Sequence, residues 1–314
     1  MITGFLHMER SSAADKSMDR AIGSLLGLAA GDAVGTTLEF EWRDTHPPLT
    51  DMVGGGPFHL KPGVWTDDTS MALCLADSLI ACDCLDEADL MCRFVRWWRQ
   101  GENSVTGRCF DIGTTTRRAL ATFERTGDPR AGSTAADSAG NGSLMRLAPV
   151  AIRYHSDRAM AIEAARRQSA TTHAAPATVD GCAYFAELLV DAIAGMDRAT
   201  LFSPRQFNGY PEIAAIAAGG YAERTRDQIE SSGYVVHTLE AALWCVHRAT
   251  GFREAVLLAA NLGRDADTVA AVTGQLAGAI WGEGGIPIDW RRKLAWHAAI
   301  RERACRLFEQ GNRP

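Results

Sequence analysis

The chain has 314 residues, 46% hydrophobic and 22% charged, the balance of a folded globular protein and not of a disordered one. Its formal net charge of −6 excludes the basic footprint of a nucleic-acid-binding domain. No run of about 20 apolar residues is evident, and the opening MITGFLHMERSSAADKSMD lacks a basic start and a long apolar core. The sequence therefore predicts no membrane segment, no signal peptide and a cytoplasmic location.

Residues 1–18 carry few spaced apolar positions and read as a mobile lead-in, or as an arm for a partner, ahead of a domain over 19–314. From Asp19 the apolar residues Ile22, Leu25, Leu26, Ala29, Ala30 and Ala33 recur at helical steps. This run passes into GLAAGDAVGTTLEF, where Asp32 reads as a hydrogen-bonding group at a helix end. Glu39 reads either as solvated surface or as a catalytic carboxylate. Further helices are predicted over 69–82, 87–99, 114–125, 143–154, 157–170, 176–194, 234–249, 252–262, 268–281 and 291–309. Alternating strand patterns are nearly absent, and Gly, Pro and Asp punctuate the helices. The fold class is all-α, with about a dozen helices. The eight cysteines are scattered without a CxxC pair and read as buried thiols.

Two acidic segments stand out. WTDDTS opens the 69–82 run with Thr66, Asp67 and Asp68, residue types that cap a helix and complement its dipole. The same residues could instead ligate a metal. GRDADT repeats the chemistry at Asp265, Asp267 and Thr268, again before an apolar helix. Neither segment contains His or Cys, and such oxygen-only sets suit hard cations, Mg²⁺ or Mn²⁺, and not zinc. Together they could clamp two ions about 4 Å apart. That would require positions 66 and 268 to meet, so LFSPRQFNGYPE, which breaks the helices near Phe202–Pro211, is not read as a domain boundary.

Three other stretches carry candidate chemistry. GRCFDIGTTTRRAL places Asp111, Gly113 and Thr114 at a helix start, where N–H groups and hydroxyls can receive an oxyanion or a ribose hydroxyl. AGNGSLMRLAPV sets Gly140, Asn141, Gly142 and Ser143 before a predicted helix, either an anion loop or a plain turn. SATTHAAP puts His173 among hydroxyls, as a structural histidine or a phosphate contact.

In this order, GLAAGDAVGTTLEF, WTDDTSMAL, CFDIGTTTRRAL, GNGSLMRLAPV, TTH and GRDADTVAAVTGQLAGAIWG resemble the ADP-ribosylglycohydrolase family, in particular its dinitrogenase-reductase-activating glycohydrolase-like branch. The resemblance implies a compact single-domain all-α fold around a binuclear Mg²⁺ or Mn²⁺ cleft. It implies Thr66, Asp67, Asp68, Asp265, Asp267 and Thr268 as metal ligands. It makes Asp111 the active-site aspartate and Glu39 a catalytic or gating glutamate, with Gly113 and Thr114 nearby. Gly140, Asn141, Gly142, Ser143 and His173 would line ADP-ribose. The implied reaction removes ADP-ribose from a modified protein side chain, arginine in this branch. The alternatives are ADP-ribosylserine, O-acetyl-ADP-ribose or a related ester, and an immunity protein that also occludes an ADP-ribosylating toxin.

Overall fold

The computed structural model describes residues 2–313, with side chains from residue 14 onward. The expected lead-in over 1–18 therefore falls largely outside the described side chains. The described residues contain fourteen α-helices and no strands. They are α1 (Ile2–Gly35), α2 (Asp67–Cys82), α3 (Glu87–Gln100), α4 (Thr114–Thr126), α5 (Ala148–Arg153), α6 (Arg158–Ala170) and α7 (Pro176–Ala194). After them come α8 (Arg198–Leu201), α9 (Pro211–Ala217), α10 (Val235–Arg248), α11 (Phe252–Ala260), α12 (Ala266–Gly285), α13 (Ile288–Lys293) and α14 (His297–Gly311).

Three boundaries differ from the sequence expectation for physical reasons. The helix expected over 143–154 begins only at Ala148, with Pro149 in its first turn, where a missing N–H costs nothing. The run expected over 291–309 divides into α13 and α14 because Trp296 takes a left-handed φ of 58°. Two short helices not expected from the sequence, α8 and α9, flank the non-helical stretch 202–210, and one apolar core continues across it. Within Ala14–Leu38 an 18-residue stretch has a mean hydropathy of 1.3, enough by length and composition to cross a membrane. Of that 18-residue stretch, 94% is buried inside the protein, as suits a central core helix.

The scaffold is the antiparallel pair α1 and α12, which makes the most extensive helix contact in the molecule. Its close approach is written in small residues at four-residue steps. Gly23, Gly27, Gly31 and Gly35 of α1 face Gly278, Gly274, Ala270 and Ala266 of α12 in turn. A Cβ on Gly27 would lie 2.2 Å from the Gly274 carbonyl oxygen, and one on Gly274 would lie 2.0 Å from that of Gly27. Glycine inside a helix costs about 0.5–1 kcal/mol relative to alanine, so the stripe makes sense only if backbone contact offsets that cost. The consequence for function is positional. The C-terminal end of α1, with Asp32, is held against the N-terminal end of α12, with Asp267.

The segment ahead of α2 is fixed from the other side. The Trp65 indole N–H donates to the Ala295 carbonyl at 3.1 Å, and its ring meets Trp296 edge-on at 5.2 Å. Gly63 packs so closely on Lys293 that a Cβ there would lie 2.0 Å from its carbonyl oxygen. The connection between α13 and α14 thus clamps the chain that delivers Thr66.

Candidate metal centre and active site

A cleft of about 510 Å³ opens where α1 ends and α2, α4 and α12 begin. Three helix N-termini converge there, and their orphan N–H groups favour negative charge. Asp67, Asp265, Asp267 and Thr268 line it beside Glu39 and Asp111. Thr66 and Asp68 lie beneath them, fully buried. All six expected metal-binding residues are thereby brought together.

The capping reading of the two acidic segments does not hold. Thr66 and Asp265 occupy the N-cap positions of α2 and α12, yet neither side chain makes a cap hydrogen bond. The cap of α2 comes instead from another helix. Buried Asp32 accepts from the Thr66 N–H at 2.9 Å and the Thr69 N–H at 3.0 Å, and from their hydroxyls at 2.9 and 2.6 Å. Asp32 was read from sequence only as a helix-end group, and its role as the post that orients the first segment was not. The second segment is held differently. The Asn141 amide donates to Asp265 Oδ2 at 2.5 Å, and the Asp267 N–H donates to Glu39 Oε2 at 3.3 Å. Two contacts tie the segments together: Thr66 Oγ1 to Asp267 Oδ2 at 3.4 Å and Thr268 Oγ1 to Asp68 Oδ1 at 3.3 Å.

Glu39 owes its place to a backbone staple. The Phe40 N–H donates to the Arg264 carbonyl at 2.7 Å, and the Arg264 N–H returns to the Glu41 carbonyl at 2.6 Å. Arg43 extends the attachment, donating to the carbonyls of Arg226 at 2.6 Å and Ile229 at 2.5 Å. Glu39 is buried, so the solvated-surface reading is set aside.

The carboxyl groups crowd together with no ion-paired counter-charge from a neighbouring side chain among the described residues. Oxygens of Asp32, Asp68 and Asp267 lie within 4.8 Å of one another, as do those of Glu39, Asp265 and Asp267. Asp267 belongs to both groups. No Lys or Arg among the described residues forms an ion pair with any of these side chains or with Asp67 or Asp111. Burial, then the charge of Asp267, pushes Asp32 and Asp265 up to about 7. Burial, followed by Asp267 for Asp67 and by Asp32 for Asp68, pushes both well above the usual carboxylate range. Burial and the charge of Asp267 raise Glu39 likewise, and burial with Asp67 raises Asp111 to about 11. Asp68 Oδ2 is buried without a hydrogen-bond partner, which a native interior rarely tolerates. An oxygen-only, carboxylate-rich pocket with an orphaned acceptor fits a hard divalent cation.

The rest of the wall comes from the other predicted stretches. Asp111 sits at a left-handed φ of 61°, two residues before the Gly113 N-cap of α4, and Gly113 and Thr114 line the cleft. Gly140, Asn141, Gly142 and His173 also line it, and Gly140 and Gly142 pack against the His173 ring. Ser143 departs from expectation. It is fully buried, and its hydroxyl pairs with Ser169 Oγ at 2.8 Å and Cys182 Sγ at 3.4 Å, away from the cleft. Asn141 reaches the cleft, but its amide is committed to Asp265 and to Thr238 Oγ1 at 2.8 Å. Phe40, 64% exposed, edges the mouth, with Phe58 at 6.3 Å from its ring and Phe110 a further 5.3 Å on.

Comparison with known proteins agrees with this geometry. The family model described as ADP-ribosylglycohydrolase matches residues 13–314. The chain is 51% identical over 297 residues to ADP-ribosylarginine hydrolase Tri1 of Pseudomonas putida (strain GB-1), covering 94% of this chain and 80% of the relative. It is 48% identical over 293 residues to the protein of the same name from Serratia proteamaculans (strain 568), covering 93% and 80%. ADP-ribosyl-[dinitrogen reductase] glycohydrolase of Rhodospirillum rubrum is 33% identical, covering 88% and 90%. A solved structure described as an ADP-ribosylglycohydrolase-related protein complex superposes with a TM-score of 0.85 at 41% identity, covering 95% of this chain and 99% of that one. The chain belongs to the ADP-ribosylglycohydrolase family.

Proposed function

We propose that this hydrolase releases ADP-ribose from ADP-ribosylated arginine side chains of proteins, with two Mg²⁺ or Mn²⁺ ions held by Thr66, Asp67, Asp68, Asp265, Asp267 and Thr268. The observation that carries the reading is the pair of carboxylate groups sharing Asp267, with a buried Asp68 oxygen left without a hydrogen-bond partner. Cations bound there supply charge neutralisation, a grip on vicinal hydroxyls and a water of lowered pKa. The chain's own residues do the rest. Asp32 and Asn141 orient the ligating carboxylates, so that the geometry exists before substrate arrives. Cleavage of a C–N glycosidic bond builds positive charge on the ribose, and the anionic cleft is complementary to it. Asp111 and Glu39, both beside Asp267, are the groups placed to take the proton from the attacking water, once bound cations offset the like charge that otherwise keeps both carboxyls protonated.

The choice of arginine rests on the names of the two relatives near 50% identity and on the mouth. Phe40 offers its ring there, braced edge-on by Phe58 and through it by Phe110, and aromatic faces attract a guanidinium. A cytoplasmic setting is supported by the eight cysteines, all free thiols. The test is a panel of ADP-ribosylarginine, ADP-ribosylserine and O-acetyl-ADP-ribose assayed with Mg²⁺, with Mn²⁺ and with EDTA. The arginine linkage is expected to turn over fastest, and only with metal. Faster cleavage of either other linkage would replace arginine as the substrate. Binding of an intact ADP-ribosylating toxin without turnover would make the protein an occluding immunity factor.

A further inference from the structure

One buried cation takes no part in the chemistry above. Arg146 is fully buried four residues after Gly142, and its guanidinium meets only neutral acceptors. Nε donates to Gln168 Oε1 at 3.0 Å and Nη1 to the Gly142 carbonyl at 3.0 Å. Nη2 donates to the Gln168 carbonyl at 3.0 Å and to Thr172 Oγ1 at 2.9 Å, with Thr171 Oγ1 farther off at 3.4 Å. Its guanidinium also lies over the Phe94 ring, 4.6 Å from the centroid. A buried charge held this fully, with no carboxylate partner, calls for a reason.

The reason lies one residue beyond Thr172. Thr172 Oγ1 stands 2.8 Å from His173 Nδ1. A hydroxyl has one proton to give and two lone pairs to receive with. With Arg146 donating into the oxygen, the hydroxyl proton satisfies Nδ1. The reverse assignment would aim two N–H groups at Thr172 Oγ1 and leave its own proton without an acceptor in a dry interior. Nδ1 therefore accepts, and the proton of the neutral imidazole sits on Nε2. Burial, then the Arg146 charge, holds the ring well below its ordinary value, at about 3, so it stays neutral near pH 7. The Nε2 edge faces the glycine loop: a Cβ on Gly140 would come within 3.3 Å of Nε2 and one on Gly142 within 3.1 Å. Side chains there would cover the edge that lines the cleft.

We propose that Arg146, acting through Thr172, holds His173 as a fixed Nε2–H donor that reaches across the glycine loop to a phosphate oxygen of bound ADP-ribose. The proposal rests on the ADP-ribose reading of the cleft and adds to it a positioning residue, Arg146, and a relay, Thr172. A neutral donor of fixed tautomer binds the ligand without demanding a proton from solvent. Arg146 in turn places positive charge behind the loop that receives the diphosphate.

The test is nitrogen-15 NMR of the His173 ring combined with ADP-ribose calorimetry and steady-state kinetics. The wild-type protein is expected to show a neutral ring protonated at Nε2. Thr172→Val, which keeps the shape and removes the hydroxyl, is expected to disturb that tautomer and weaken ADP-ribose binding about tenfold, the worth of one hydrogen bond. KM should rise with kcat within about twofold, since the relay acts on binding and not on the reacting atoms. Thr172→Ser should restore tautomer and affinity together, which a merely structural role would not require. An Nδ1–H tautomer or an imidazolium in the wild type, or unchanged binding in Thr172→Val, overturns the relay. An Nε2–H tautomer in a wild-type protein without affinity for ADP-ribose overturns the ligand reading and, with it, the donor's task.

Discussion

The middle of the α1–α12 pair and its acidic end are built from the same two helices and obey opposite rules. In the middle, glycine and alanine let the backbones touch, and the surrounding core is apolar and fully buried. At the end, a few residues on, Asp32 and Asp267 meet with Asp68, Glu39 and Asp265, and burial and like charge raise Asp32, Asp68, Glu39 and Asp265. The contrast teaches where stability and function reside. The contact of the middle supplies rigidity, and that rigidity holds together carboxylates that would otherwise separate. Such local conflict, maintained by a well-packed neighbourhood, marks a ligand site.

Substitutions should separate the two regions. Asp267→Asn removes the charge common to both carboxylate groups and is expected to cut turnover by about 10³-fold or more, as loss of a preorganised stabiliser does. Without metal it should melt several degrees higher than the wild type, roughly 2–4 °C per kcal/mol of repulsion relieved. A lower melting point for the metal-free variant would contradict the account of the acidic end. Asp111→Asn is expected to keep metal affinity by calorimetry and to lose about 10²-fold in turnover, the usual worth of a proton-transfer group. Loss of metal binding would make Asp111 a ligand or a support for one.

The opposite result is expected in the middle. Gly274→Val would drive a side chain into the Gly27 carbonyl, and overpacking of this kind costs about 1–3 kcal/mol or more, a fall of roughly 2–12 °C in Tm. The fraction that folds should retain most of its turnover, and an unchanged Tm would show that the helices are free to part.

The smallest effect concerns pH. Asp32 and Asp265 titrate near 7 in the folded chain without metal, against 3.8 for the ordinary side chain. Between these values the folded state binds protons that the unfolded state releases, so their contribution is present below the unfolded value and is lost as pH rises through the folded one. EDTA-treated protein should melt lower at pH 8 than at pH 5, and Mn²⁺ should raise Tm more at pH 8. Equal metal-induced shifts at the two pH values would mean that these carboxyls are not the ones neutralised.

The all-α class and most helix positions were legible because apolar residues recur with the helical period over long runs, as in α7 and α10. The two acidic segments were legible because Thr and Asp cluster beyond what a cap uses. What one sequence does not carry is the identity of partners. Asp32 looked like a helix-end residue, and only its four hydrogen bonds to Thr66 and Thr69 reveal the trans cap. Asn141 and Ser143, two residues apart in one loop, face different ways, one toward Asp265 and one into the core. The glycines of α1 and α12 were visible as letters, but a four-residue stripe becomes evidence only when a second stripe is seen to face it. Arg146 gave no signal at all, since an arginine in a helical run is ordinarily at the surface.

The central claim is that the convergence of two distant acidic segments makes a catalytic metal cleft. The most direct measurement is ADP-ribose release from ADP-ribosylarginine protein by the wild type, Asp67→Ala and Asp267→Ala, each after EDTA treatment and again after added Mn²⁺. The account predicts that the treated wild type is inactive and recovers with Mn²⁺, while neither variant recovers. Full turnover of both variants in the presence of EDTA would contradict it.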